Sequence, residues 1–166
     1  MALRPDRLEP RISLRRITAA DLPTLFLQQL DPESNSMAGT KPFTEEVYYA
    51  RWERIFADPN VEPRAIIEGD PIDGVIVGTI SCFQRDGQDL VGYWIDRPHW
   101  GRGIASRALA LLLNEVTRRP LHATAVSANA ASHRILQRCG FRQTGTHAEP
   151  ATDRFLAGEV ATFVLD

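Results

Sequence analysis

The stretch DLVGYWIDRPHWGRGIASRAL, residues 89–109, constrains the fold more than any other part of the chain. It opens as an apolar strand, stops at Pro98, passes two glycines around an arginine and enters a helical pattern. Glycine lets backbone N–H groups approach a ligand with no Cβ in the way. A helix N-terminus adds unsatisfied donors and about half a positive charge. The loop is therefore either a tight turn or a seat for an anion. It lacks the GK[ST] ending of a P-loop and does not match GxGxxG, which argues against nucleotide hydrolysis.

The flanking pattern fills in around that unit. ISLRRI (12–17) alternates as a strand. TAADLPTLFLQQL (18–30) carries Leu22, Leu25, Phe26 and Leu30 at helical spacing, with Thr18 and Asp21 as caps. TEEVYYARWERIFA (44–57) predicts a second helix capped by Thr44, with Val47, Tyr48, Trp52, Ile55 and Phe56 on one side. EPRAIIEG and GVIVGTISCFQ are two strands, and the turn RDGQ joins the second to DLVGYWID as an antiparallel meander. A helix follows over residues 104 to about 117, then the strand LHATAVSA and a short helix in NAASHRILQRCGF closed by Gly140. RQTGTHAE and GEVATFVLD complete the strands. The order β-α-α-β-β-β-α-β-α-β-β belongs to a mixed α+β domain with helices on both faces of one sheet. Residues 1–10, polar and proline-punctuated, are expected to be a flexible tail before a single domain over 11–166.

Apolar content of 43% and charged content of 24% are those of an ordinary soluble domain. The longest apolar run, residues 108–113, is far short of the roughly 20 residues that span a bilayer. Cys82 and Cys139 form no paired pattern, so neither a disulfide framework nor a metal site is expected, and the compartment is expected to be cytoplasmic. No nucleic-acid or membrane partner is expected. The net charge of −2 hides an asymmetry: residues 97–142 hold eight arginines against Glu115 alone, a charge of +7 that leaves −9 elsewhere. Residues 31–62 hold seven acids against Lys41, Arg51 and Arg54. One region invites an anion and the other tolerates a cation.

Downstream, NAASHRILQRCGF puts Asn129 at a strand end, Ser132 three residues later, and Gly-Phe after one short helix. Together with GYWIDRPHWGRGIASRAL it closely resembles the GNAT acetyltransferase superfamily, especially its branch of ribosomal-protein and other protein N-terminal acetyltransferases. The likeness covers residues 12–165 in order of elements, with its specific motifs within 92–141. It implies a mostly antiparallel sheet of six to seven strands splayed in a V, with helices on both faces. It implies acetyl-CoA as cosubstrate between the strands GYWID and HATAVSA, and a primary amine, protein N-terminus or small molecule, as acceptor. On that resemblance the pantetheine arm runs along the backbone of Trp94, Ile95 and Asp96. The pyrophosphate rests on the amides of Gly101, Arg102, Gly103, Ile104, Ala105 and Ser106, and Asn129 bonds the pantetheine or the chain near it. Arg102 and Arg107 add forked donors suited to phosphate, and the acid-rich 31–62 region suits a cationic amine.

Three positions depart from the family pattern. Trp100 opens the loop where Gln or Arg is frequent, as in the branch named above. Leu136 stands where many relatives carry a tyrosine that protonates the departing thiolate. Leu90 stands where a glutamate often acts as base through water, with Asp89 one position away and expected on the wrong sheet face. Ser132 is the remaining catalytic candidate, as a hydrogen-bond donor to the thiolate or as an ordinary helix cap. Tyr93 is expected to pack in the core, and His122 is either a base or structural. Glu33 and Asn35, in the loop after the first helix, either meet the amine or are solvated. The expectation is an acetyl-CoA-dependent N-acetyltransferase, monomer or homodimer. The missing acid and base leave a non-catalytic coenzyme A-binding module as the alternative.

Overall fold

The computed structural model describes residues 9–166. Most of the expected tail, residues 1–8, lies outside the described residues. Glu9 and Pro10 are held by Arg107, through an ion pair at 2.7 Å and a carbonyl accepting at 2.6 Å.

The strands are β1 (Ile12–Arg16), β2 (Glu62–Glu68), β3 (Val75–Arg85), β4 (Gln88–Ile95), β5 (Leu121–Val126), β6 (Arg142–Glu149) and β7 (Gly158–Leu165). The helices are α1 (Leu22–Gln28), α2 (Pro32–Ala38), α3 (Glu45–Ala57), α4 (Ile104–Glu115) and α5 (Ala130–Arg138). One seven-stranded sheet runs in the order β1-β2-β3-β4-β5-β7-β6. Every neighbouring pair is antiparallel except β4 and β5, which run parallel and pair only at Leu90–His122. Beyond that point the two strands share no ladder, which opens the expected V.

The sheet is buried on both faces at β2, whereas the edge strand β6 is exposed throughout. In β2, Ala65, Ile66 and Ile67 are all buried, Ile66 facing one core and its two neighbours the other, as strand alternation requires. The larger core joins Ile66, Val77, Ile80 and Val91 to the stripe Ile104, Ala108, Leu109 and Leu112 of α4, and to Leu136 of α5. The second joins Ala65 and Ile67 to Leu22 and Leu25 of α1 and to Tyr48 and Trp52 of α3.

Three local expectations change. Residues 32–38 form α2 rather than loop: the Asp31 carboxylate accepts from Ser34 N at 2.8 Å, Pro32 takes the first turn, and Gly39 closes the helix at φ 67°. On α3, Val47 and Phe56 are 49% and 46% exposed, because the i, i+4 pair Tyr48–Trp52 sets the buried line. Helix α4 ends at Glu115 because Val116 turns extended and inserts into the core.

Candidate active site

A cavity of about 520 Å³ occupies the gap between β4 and β5. Its wall includes Tyr93, Trp94 and Ile95 from β4, the loop residues Gly101 and Gly103, Ile104, Ala105 and Ser106 of α4, Ala123 and Val126 of β5, and Asn129 and Ser132. Helix α2 closes one side with Ser34, Met37 and Ala38.

The glycine loop answers both readings of its sequence. Gly101 and Gly103 each sit at φ +74°, a left-handed conformation that the turn requires. A Cβ built on either one meets nothing within 4 Å, so the same glycines leave a cradle open at the cavity mouth. None of the backbone N–H groups of residues 101–106 finds an acceptor among the described residues; the helical ladder begins with Arg107 N donating to Gly103 O. Trp100 fixes this loop by donating its indole N–H to Ile95 O at 2.8 Å.

The β3–β4 register divides the three residues expected to meet pantetheine. Asp96 N donates to Val77 O, and Trp94 occupies the equivalent paired position opposite Thr79, so both direct their backbone groups at β3. Ile95 alternates and faces the gap. Asp96 lies off the cavity wall, its carbonyl accepting from His99 N at 2.9 Å. The Trp94 indole N–H is buried with no partner among the described residues.

The arginine excess is largely neutralised inside the fold. Arg97 holds Asp31 and Glu33, Arg102 holds Glu68, and Arg118 holds Glu62 and Asp89. Arg107 holds Glu9, Arg142 holds Asp166, and Arg119 reaches the carbonyls of Val116 and Arg118. Arg102 also lies off the cavity wall. Arg134 and Arg138, one turn apart on α5, line the cavity and make no ion pair among the described residues. They are the unpaired charges on the cavity wall, which the count over residues 97–142 included but did not single out.

Asn129 caps α5, its Oδ1 accepting from Ser132 N at 3.1 Å. The Ser132 hydroxyl lies 2.7 Å from the phenol of Tyr93. Burial pushes the Tyr93 phenol up to about 12, so it stays protonated. Tyr93 is partly core and partly cavity wall, a role its place in an apolar strand did not reveal. Leu90 and Leu136 are both buried, and Leu136 packs in the larger core while also lining the cavity.

The other candidates fall away from the cavity. His122 is not on its wall, and Asp89 is paired with Arg118 at 3.2 Å. Glu33 is paired with Arg97 at 2.7 Å. Asn35 is a buried staple: its amide donates to Gln29 O and Asp31 O, and its carbonyl accepts from Thr40 at 2.8 Å. Cys82 and Cys139 are free thiols, both pushed up by burial.

A sequence profile for the acetyltransferase (GNAT) domain matches residues 11–142. An uncharacterized N-acetyltransferase of Bacillus licheniformis, p20, is 26% identical over 145 residues, 81% of each chain. Among solved structures, the spermidine N-acetyltransferase of Vibrio cholerae, determined with CoA and spermine, superposes with a TM-score of 0.79 at 13% identity, covering 93% of this chain and 94% of that one. Mycobacterium smegmatis RimJ, in complex with CoA-disulfide, superposes at 0.74 with 20% identity, covering 93% and 81%. A splayed β4–β5 pair, a glycine loop and these matches lead to one family: the chain belongs to the GNAT acetyltransferases. No helix among the described residues is long and apolar enough to cross a membrane.

Proposed function

We propose that the protein transfers the acetyl group of acetyl-CoA to a primary amine, of a small molecule or a protein N-terminus. The observation that carries this reading is the row of unsatisfied N–H groups over residues 101–106, at the mouth of the cavity and the start of α4. Such a row matches a pyrophosphate in charge and donor geometry. Arg134 and Arg138 supply two further phosphate partners, and the N–H of Ile95 faces the gap to bond the pantetheine arm or polarise the thioester carbonyl.

Catalysis is direct attack. The site holds the thioester beside a neutral amine, so orientation supplies much of the rate. The amine nitrogen attacks the carbonyl carbon, the carbon–sulfur bond breaks, and the amine's proton passes to water. Tyr93 donates to Ser132 Oγ, which frees the Ser132 proton to hydrogen-bond the departing thiolate; solvent completes its protonation. With Leu90 and Leu136 at the usual ionisable positions, the enzyme supplies no strong base.

Amines are mostly protonated at neutral pH, with α-amino groups near pKa 8 and lysine near 10.4. Release of free thiol from acetyl-CoA, followed from pH 6 to 10 over amines of different basicity, tests the reading. The expected kcat/KM rises with pH and tracks each amine's own pKa. A single plateau with pKa near 6–7 for every acceptor would contradict this and assign the step to an enzyme base.

A further inference from the structure

A second charged cluster lies beyond the cavity wall. Arg154, in the loop between β6 and β7, sits with its guanidinium carbon 4.2 Å from the centre of the Phe43 ring. Arg51 of α3 sits 5.1 Å from the same ring. Phe43 is held in place by a two-way clasp with Gln29, its N–H donating to Oε1 at 2.8 Å and its carbonyl accepting from Nε2 at 3.1 Å. Two guanidiniums are thus gathered on one fixed aromatic ring.

Neither guanidinium pairs with a carboxylate among the described residues, and the nearby sequence acids Glu45, Glu46 and Asp153 form no ion pair with them. Arg154 donates to Lys41 O, and Arg51 donates to no acceptor among the described residues, so most of their N–H groups, five on each side chain, have no partner there. Burial, and then the charge of Arg51, lower Arg154 to about 10. The Arg51 guanidinium, crowded by its neighbours although the residue keeps solvent exposure, is lowered as well. Lys41 adds a third cation beside them, its Nζ donating to Thr152 O at 2.7 Å.

None of Lys41, Phe43, Arg51 and Arg154 lines the cavity, but the backbone links the cluster to its wall. Ala38 lines the wall, and Gly39 packs so tightly on the wall residue Val126 that an added Cβ would come within 2.7 Å of it. Thr40 then pairs with Phe155, Leu156 N donates to Gly39 O at 2.9 Å, and Lys41 N donates to Arg154 O at 2.7 Å. The loop that carries Arg154 is therefore stitched to the β5 side of the cavity, and Arg51 of α3 meets it across the Phe43 ring. The acids of this region, by contrast, are partly withdrawn: Arg97 takes Asp31 and Glu33, and Arg118 takes Glu62.

We infer that Arg51 and Arg154, with Lys41 beside them, form a carboxylate-binding subsite for the acceptor, so that the preferred amine carries a negative group. This rests on the acetyltransferase reading for the identity of the reacting end, but not for the binding of the carboxylate. The planar guanidinium fork is the side chain best matched to a carboxylate. The residue counts led to the expectation that this region tolerates a cation; on this inference the acceptor presents an amine to the thioester and an anion to the arginines.

The test uses the full chain and matched probes: glycine, β-alanine, 4-aminobutyrate and 6-aminohexanoate, each beside its amide. The Nε–Hε NMR signals of Arg51 and Arg154, assigned with Arg51→Lys and Arg154→Lys, are expected to move with at least one carboxylate probe and not with its amide. In turnover, that carboxylate is expected to be favoured about tenfold or more in kcat/KM, and Arg154→Gln to bring the ratio near one. Acetyl-CoA is expected to raise the melting temperature of Arg154→Gln as much as that of the parent. Signals that stay fixed, or that move equally with carboxylate and amide, overturn the subsite. Failure of acetyl-CoA to bind would instead overturn the acetyltransferase reading, and the side-chain titration would still decide the subsite.

Discussion

A hydroxyl pair set 2.7 Å apart, Tyr93 and Ser132, is the smallest unit of chemistry in the cavity. Burial keeps the Tyr93 phenol protonated, and in the proposed mechanism it donates to Ser132 Oγ so that Ser132 donates onward. Ser132→Ala is expected to lower kcat by about 10- to 100-fold while changing acetyl-CoA affinity little. Tyr93→Phe is expected to lower kcat by a smaller factor, about 3- to 10-fold, because it removes only the support. Steady-state kinetics with a separate binding isotherm checks both; a parallel loss of affinity would make the pair a binding feature instead. Another residue carries acid sensitivity. The Arg15 guanidinium, bonded to Asp21 at 2.8 and 2.9 Å, holds its carboxyl below the usual range, and Thr18 N adds a third bond. Its stabilisation is complete above the unfolded-state pKa near 3.9 and is lost as pH falls through the lower folded value. Asp21→Asn is expected to cost about 1–2 kcal/mol at pH 7 and to shrink the acid-side fall in stability, measured by urea melts from pH 2 to 7.

The glycine loop is the element on which binding depends, and its two duties can be separated. Gly87, in the β3–β4 turn, shares the left-handed conformation at φ +75°, an added Cβ there also meets nothing, and it lies off the cavity wall. Gly103→Ala and Gly87→Ala are each expected to cost about 1–2 kcal/mol in strain. Only Gly103→Ala is expected to weaken acetyl-CoA, by about tenfold or more, since its methyl enters the space a pyrophosphate needs. Equal affinities in the two variants would mean that the glycines serve the turn alone. On α5, replacing Arg134 and Arg138 together by alanine is expected to cost about tenfold in acetyl-CoA affinity by calorimetry, whereas Arg102→Ala, whose charge faces Glu68, costs less. Such elements were legible from sequence where periodicity is strong: the meander, α4 and the loop between them all lie where alternation and glycine spacing put them. Helix α2 was not, because PESNSMA has no apolar period, although Asp31, Pro32 and Gly39 mark its ends. The arginine count misled at single residues for a different reason. Folding brings Glu68 to Arg102 and Asp31 to Arg97, and no local reading of charge sees partners that far along the chain.

At the scale of the whole molecule, the seven-stranded sheet earns its shape from one parallel contact. Antiparallel ladders on both sides hold β4 and β5, and the single Leu90–His122 pair lets them part, so the sheet supplies a slot without sacrificing either core. The groups proposed to hold phosphate gather at the α4 and α5 end, and the Arg51–Arg154 pair brings α3 and the β6–β7 loop together on Phe43. Binding of acetyl-CoA in that slot is therefore the property on which the proposed function depends. The most direct measurement is the melting temperature with and without millimolar acetyl-CoA, with ATP as the parallel control. At about a hundred times its Kd a ligand adds roughly 2.7 kcal/mol, on the order of 5–10 °C for a domain of this size. A rise of that order with acetyl-CoA, and a clearly smaller one with ATP, is the predicted result; no rise with acetyl-CoA, or a rise with ATP alone, would contradict it.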